Sequence, residues 1–287
     1  MISSLLPRLL SFLVLWLFVL HFCVGQVTRR ALVIGLGEQE DVRWGKIHGD
    51  NDIPWVVAML CKQGYSDIKT LKNKQATKQS IVKAFRRLAQ QCKKGDRVYI
   101  HYSGHGQLMT DLNGDERLKG NSSHSDWDES WIPYDAYMTY GPKDRGEKHL
   151  CDDEVADLLR LIRCSIGMKG TLIVSIDACH SGDATCGDSD ECVRGVDVKF
   201  NIPRRTDVDC QVKSLQPEAW LTISACKPWQ LSTEIKGKNV GRLTYSLSVL
   251  GKDVATMSPK RLSERLLSIM QRFPSRLPQT PMVTGKK

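Results

Sequence analysis

The sequence predicts a three-layer α/β/α sandwich on a mostly parallel sheet. Three observations carry this reading. Several apolar runs, "RALVIGLG", "GTLIVSIDAC" and "AWLTISAC", are continuous rather than alternating, as strands covered on both faces are. Segments with helical spacing stand between the strand-like runs. The strand–helix order then persists from residue 31 to about residue 273, which is the pattern of parallel strands joined by crossover helices.

Taken in order, "RALVIGLG" is the first buried strand. "NDIPWVVAMLCKQG" has helical spacing and ends on Gly64, a C-terminal stop. "DIKTL" is a short strand. "TKQSIVKAFRRLAQQC" is a helix with Ile81, Phe85 and Leu88 on one face. "DRVYIHYSGHG" is a strand running into a glycine-rich loop, and "SWIPYD" is a short extended piece. "CDDEVADLLRLIRC" is a helix whose first-turn carboxylates suit the positive end of its dipole. After "GTLIVSIDAC" and "AWLTISAC", "LTYSLSVLG" and "SPKRLSERLLSIMQRF" are helices. The last opens with Ser258 as N-cap and Pro259 at the first helical position. Two segments break the rhythm, 107–130 and 182–217, and loops of such length in a domain of this kind tend to carry function.

With 41% hydrophobic residues in 287, the chain can build one sizeable core or two small ones. The formal charge of +9 admits anionic partners. The basic residues are scattered, however, with only short clusters such as "FRRLAQQCKK" and "PRRTD". No basic stripe is interleaved with aromatics, so no nucleic-acid partner is expected. The N-terminus orders one positive residue, Arg8, an apolar stretch "LLSFLVLWLFVLHF" and small Gly25, as a secretory signal peptide does. An uncleaved anchor is the competing reading, but His21 interrupts the run below the ~18–20 apolar residues that a spanning helix needs. The expectation is a signal peptide over 1–25 and an exported, periplasmic or secreted, protein that meets the membrane only in transit. Of the ten cysteines, nine would remain after cleavage. That odd number points to one free thiol beside pairs whose connectivity sequence does not give. Cys186 and Cys192 could close a small loop in an oxidising compartment.

The chemistry concentrates at two strand ends. In a parallel sheet, ligands collect beyond the carboxyl ends of the strands. "RVYIHYSGHG" delivers His105 there, and "TLIVSIDACHSG" delivers Cys179. A thiol becomes a strong nucleophile when a neighbouring imidazole takes its proton. The N–H groups of Gly104, Gly106 and Cys179 are candidates to bind a developing oxyanion. Taken singly, Cys179 reads as an inert buried cysteine and His105 as a loop histidine. Zinc is another chemistry for "DACHSGDATC", but the irregular spacing lacks a C-x-x-C pair. Asp177 lies two residues before Cys179 and so shares its side of the strand end.

"HYSGHG" followed by "DACHSG" resembles the histidine and cysteine motifs of the caspase-like cysteine peptidases, nearest the metacaspases and their bacterial relatives. "GDNDIPWVVAML", "DLNGDE…DWDESWIPYD", "LTISACKPWQLSTE…GRLTYSL" and "QTPMVTG" extend the resemblance over nearly the whole chain after residue 25. The animal caspase pattern around the cysteine is absent, which points away from the aspartate-cleaving branch. The resemblance implies a large-subunit-like part over 26–181, a linker over 182–217 and a small-subunit-like part over 218–287. It implies a His105–Cys179 dyad, an oxyanion hole at Gly106 and Cys179, and peptide hydrolysis through a thioester. It further implies protein or peptide substrates cut after Arg or Lys, recognised by Asp52, Ser103 and Asp177. Two carboxylates in a partly dry pocket favour a guanidinium or ammonium; Asp52 reads equally well as a helix N-terminal carboxylate. Calcium, needed by many metacaspases, would fall to Asp128, Asp152, Asp153 and Asp183, although "CDDE" is also simply a helix start. An Arg/Lys-specific enzyme could cut itself in the linker, which holds Arg194, Lys199, Arg204 and Arg205. Other readings remain: a catalytically idle caspase-like module that binds or regulates a partner, a clostripain- or legumain-like peptidase with a different side-chain preference, or a thiol-redox protein. The absence of C-x-x-C counts against the last. The oligomeric state does not follow from these residues.

Overall fold

Strand β1, Arg29–Gly35, is the hinge of the architecture: it pairs in parallel with β2, Asp67–Lys72, on one side and with β3, Arg97–Ser103, on the other. The computed structural model describes residues 27–116, 126–180, 191–203, 219–251 and 254–286. The expected signal segment, Asp183 and Cys186 lie outside the described residues. Among the described residues the central sheet has six strands. Strand β3 continues to β7, Thr171–Asp177, then β8, Leu221–Ser224, and finally β11, Met282–Gly285, which alone runs antiparallel.

Helices cover both faces, as the continuous apolar runs require. Alternate residues of each strand feed two separate cores. Leu32, Ile34, Ile100, Tyr102 and Val174 pack with α2, Lys78–Gln91, and α3, Asp152–Ile166. Ala31, Val33, Tyr99, Ile173 and Ile223 pack with α1, Asp52–Lys62, α4, Arg242–Leu250, and α5, Pro259–Met270. Ile81 and Phe85 of α2 are wholly buried, as the sequence spacing predicts. Each such side chain contributes about 1.5–3 kcal/mol of transfer free energy. Thr77 caps α2 by accepting from the Ser80 N–H, and Ser258 caps α5 by accepting from Arg261. No described helix is long and apolar enough to cross a membrane.

Both segments expected as loops contain described residues that pair with neighbouring strands. Residues 107–130 contain most of a hairpin of β4, Gly106–Thr110, and β5, Trp127–Trp131, extended by β6, Leu150–Cys151. These strands are short and sit at the rim of the main sheet, so their mixed polarity carries no clear period. Within the expected linker, residues 191–203 lie against the sheet edge, with Val193, Arg194 and Phe200 buried. They run between a small ribbon, β9, Glu234–Ile235, with β10, Val240–Gly241, and strand β4.

Candidate active site

Gly35, Ser103 and Asp177 stand side by side in the parallel register of β1, β3 and β7. The chain leaves β3 and β7 at one level, so His105 and Cys179, each two residues further on, arrive at the same edge of the sheet. Both are buried. The His105 ring lies over Trp44 at 5.3 Å, and its Nε2 is 2.6 Å from the Gly45 carbonyl. A carbonyl can only accept, so Nε2 carries the hydrogen and Nδ1 presents a lone pair. That Nδ1 has no hydrogen-bond partner among the described residues. Burial lowers the imidazole pKa to about 4 and raises the Cys179 thiol to about 12. The resting pair is therefore neutral thiol and neutral imidazole, a base still able to accept a proton.

Residues Asp52, Ser103 and Asp177 also converge. Odd-numbered residues of β3 and β7 face α1 and α4, which brings Ser103 and Asp177 to Asp52 at the start of α1. The Ser103 hydroxyl donates to Asp52 at 2.5 Å. Thr244 of α4 stands between the two acids, its Oγ1 2.9 Å from Asp52 and 2.8 Å from Asp177. Ser232 donates to the other oxygen of Asp177 at 2.8 Å. This pocket is filled by Arg194. Its guanidinium reaches both oxygens of Asp52, at 2.6 and 3.2 Å, and lies 3.7 Å from Asp177. Glu234 of β9 adds a third carboxylate, 3.1 Å from Arg194 Nη2. The Glu234 carboxylate is itself held by the His48 backbone N–H at 2.7 Å and the His48 ring at 2.6 Å. Burial works against the Asp52 carboxylate, but Arg194 outweighs it and holds the pKa below the usual range. Asp177 moves the other way: burial and the charge of Asp52 exceed the help from Arg194. Three acids around one cation leave an excess of negative charge in a site closed to solvent.

The backbone of Arg194 is as specifically placed as its side chain. Its carbonyl accepts from the Cys179 N–H at 3.0 Å and from the Gly106 N–H at 3.3 Å. These are two of the three N–H groups expected to bind an oxyanion. Gly104 does not join them, because its N–H points back to the Asp177 carbonyl at 3.5 Å. A cavity of about 840 Å³ reaches Cys179 from the opposite face, lined by Trp131, Ile176, Ala178 and Cys226, while the acid pocket itself is occupied.

The expected calcium ligands fall into a second cluster at the β4–β5 rim. Oxygens of Asp111, Asp115 and Asp128 lie within 4.8 Å of one another, as do those of Glu116, Asp128 and Asp152. Asp153 stands at the edge of this group and accepts from the Asn113 side chain. Burial first, then the charges of Asp152, Asp111, Asp153 and Asp115, push the Asp128 carboxyl up to about 9. Sequence reading missed Asp111, Asp115 and Glu116 as members, although "DLNGDE" is among the stretches that carry the family resemblance. It also missed Glu234, for which local sequence holds no signal: its role exists only because residues 232–234 pair with residues 192–194.

Residues 29–186, more than half the chain, match the family described as metacaspase, peptidase C14 domain. Metacaspase-1B of Aspergillus terreus is 31% identical over 172 residues, covering 56% of this chain and 40% of that protein. Metacaspase-1 of Eremothecium gossypii is 36% identical over 108 residues, covering 38% of this chain and 20% of that protein. The chain thus spans less than half the length of these relatives. Among solved structures, a protein of Geobacter sulfurreducens superposes with a TM-score of 0.61 at 22% identity, covering 91% of this chain and 94% of that one. Caspase-1 of Spodoptera frugiperda superposes with a TM-score of 0.58 at 10% identity, covering 91% and 87%. These two likenesses establish the caspase-like fold, and the sequence match establishes the family: the chain belongs to the metacaspases, within the C14 cysteine peptidases.

Proposed function

We propose that the protein is a cysteine endopeptidase that cuts peptide bonds after Arg or Lys, with Cys179 as nucleophile and His105 as general base. One observation carries this reading. The pocket of Asp52, Ser103, Asp177 and Glu234 holds a guanidinium while the carbonyl of the same residue rests on the N–H groups of Gly106 and Cys179. A substrate bound that way presents its carbonyl carbon beside the thiol. His105 Nδ1 takes the thiol proton, and the two N–H groups stabilise the oxyanion as the thioester forms. Water then hydrolyses the thioester. Because Asp52 grips two guanidinium nitrogens, Arg should be preferred over Lys, by about tenfold in kcat/KM. The test assays purified wild type and Cys179→Ala with fluorogenic peptides ending in Arg, Lys, Asp or Asn. Cleavage after Arg and Lys, lost in the alanine variant, supports the reading. Cleavage confined to Asn or Asp would indicate a legumain- or caspase-like preference, and none from folded, reduced protein would favour a binding module.

We also propose calcium as a ligand of the acidic rim. The donors are all hard oxygens, as calcium prefers, and Asp111 Oδ2 and Asp128 Oδ1 are buried without a hydrogen-bond partner among the described residues. Asp111, Asp115, Asp128 and Asp152 would hold the ion, with Glu116 and Asp153 beside them. A bound cation would screen carboxylates on the hairpin that begins at Gly106, next to the oxyanion site. Calcium should therefore raise the Tm of the Cys179→Ala protein by several degrees over chelator. Asp128→Asn should remove that response and, by relieving like-charge repulsion, raise the Tm in chelator. Equal melting with and without calcium would reject the assignment.

A further inference from the structure

We infer that His48, Cys192 and Glu234 form a binding site for zinc, and that the metal ties three separate segments of the chain together at the rim of the acid pocket. The inference stands apart from the peptidase reading, because none of the three donors takes part in the proposed chemistry at Cys179 and His105.

Strand pairing brings two of the donors face to face. Val193 stands opposite Thr233 in antiparallel register, the Arg194 N–H donates to the Ser232 carbonyl at 2.9 Å, and the Glu234 N–H donates to the Cys192 carbonyl at 3.0 Å. Cys192 and Glu234 are therefore directly opposite, with their side chains on one side of the ladder. Val193 turns the other way, into an apolar recess with Cys179, Cys226, Leu231 and Leu277. The third donor comes from the loop that leads into α1. The Cys192 thiol lies 3.8 Å from the Lys46 carbonyl of that loop, two residues before His48. One ligand atom from each residue, a ring nitrogen, Sγ and a carboxylate oxygen, lies within 4.8 Å of the other two.

The carboxylate is already oriented for such a role. Glu234 Oε1 accepts from the His48 backbone N–H at 2.7 Å and from Arg194 Nε at 3.2 Å, while Oε2 faces His48 Nδ1 at 2.6 Å. One oxygen is anchored and the other is turned toward the second ligand, the kind of outer hydrogen bonding that holds metal ligands in place. Because Arg194 uses Oε1, the metal site and the filled acid pocket are compatible. The Glu234 side chain is 4% exposed and that of His48 41%, so the site has a buried wall and an open side through which an ion and a water can enter.

The donor chemistry selects the metal. Nitrogen, sulfur and oxygen from three residues, with water in the fourth position, is a set that zinc accepts. Calcium and magnesium take oxygen ligands, so this site is chemically distinct from the all-oxygen rim of Asp111, Asp115 and Asp128. Zinc bonds of about 2.0–2.3 Å place the donors of a tetrahedral site about 3.3–3.8 Å apart, a spacing that small side-chain rotations supply. A carboxylate only accepts, so without metal His48 Nδ1 carries the hydrogen that faces Glu234. On binding, that hydrogen moves to Nε2 and the thiol proton passes to solvent, which leaves an imidazole, a thiolate and a carboxylate on the ion. The three residues lie too far apart in the chain for any motif spacing to show them.

The experiment titrates full-length Cys179→Ala protein, kept reduced with a phosphine, with cobalt and then zinc. One equivalent of cobalt should give a near-ultraviolet thiolate-to-cobalt band with tetrahedral visible bands. Zinc should erase them and excess calcium should not. Cys192→Ser should abolish the thiolate band. His48→Gln should weaken zinc binding about tenfold or more, read by competition with a chromogenic chelator. Zinc should also raise the Tm by several degrees and slow amide exchange at residues 192–194 and 232–234, and both effects should vanish with Cys192→Ser. His48→Gln, on the open side of the site, decides the matter if the serine variant folds poorly. The assignment falls if no thiolate band forms, if the band survives Cys192→Ser, if calcium displaces the cobalt, or if peptide mapping of the untreated protein finds Cys192 in a disulfide. The peptidase reading stands or falls separately, on the peptide assay with wild type and Cys179→Ala.

Discussion

Gly106 shows how one residue links chain geometry to chemistry. It opens β4, pairs opposite Trp131, and turns its N–H to the carbonyl of residue 194. A Cβ there would lie 2.4 Å from the Cys179 carbonyl oxygen and 2.6 Å from the His180 ring. Backbone cannot yield cheaply, so Gly106→Ala should displace one oxyanion donor. The expected loss is about 10²–10³-fold in kcat, with a smaller change in KM, read from steady-state kinetics on an Arg-ended peptide. Equal losses in both constants would mean that the loop had collapsed. The glycine beside His105 was legible in the sequence. That Gly106 donates to the occupied carbonyl, whereas Gly104 serves Asp177, was not, because the direction of an N–H depends on how β4 leaves the sheet.

At the scale of elements, caps and hydrophobic faces were the most legible features. Ser258 and Pro259 mark the start of α5 in sequence and in structure alike, since both act locally: one hydroxyl meets an orphan N–H, and one ring fixes a backbone angle. Ser258→Ala should lower unfolding stability by about 1 kcal/mol in urea, with activity on peptides unchanged. The short strands were the opposite case. Strands β9 and β10 have two residues each, too few for any period to register, yet β9 supplies Glu234, which with Ser232 and Thr233 just before it pairs with residues 192–194. The hairpin of β4 and β5 was hidden for a different reason: its five-residue strands mix polar and apolar residues without a clear period.

The whole molecule encloses more ionisable groups than a core usually does. His101 and His105 are both buried, and burial lowers each to about 4 from an ordinary 6.5. The unfolded chain then binds protons between those values that the folded chain refuses. Their contribution to stability is complete above pH 6.5 and is lost as pH falls through 4. Asp52, held low chiefly by Arg194 against its burial, extends the loss to more acid pH. Asp128, raised to about 9, acts in the reverse sense: its contribution is complete only below its unfolded value and is lost as pH rises through 9. In chelator, the Cys179→Ala protein should therefore be most stable near neutrality. Replacing His101 by Asn should flatten the limb between pH 6.5 and 4 in urea titrations; an unchanged limb would show that the ring is already protonated or exposed.

The sequence by itself determined the layered α/β/α architecture, the two faces of the sheet, and the delivery of His105 and Cys179 to strand ends. Each of these follows from short-range pattern: continuous apolar runs, helical spacing, caps, and a glycine next to a reactive side chain. It also raised Asp52, Ser103 and Asp177 as partners, through resemblance rather than spacing. The tertiary structure decided what surrounds them. Asp52, Asp177, Arg194 and Glu234 come from four segments far apart in the chain, and only the parallel register of β1, β3 and β7, with β9 folded over their ends, brings their charges within reach. Electrostatic attraction falls with distance in space and is indifferent to distance along the chain. A lone Arg in a polar stretch therefore looks like any other until the fold closes three carboxylates around it.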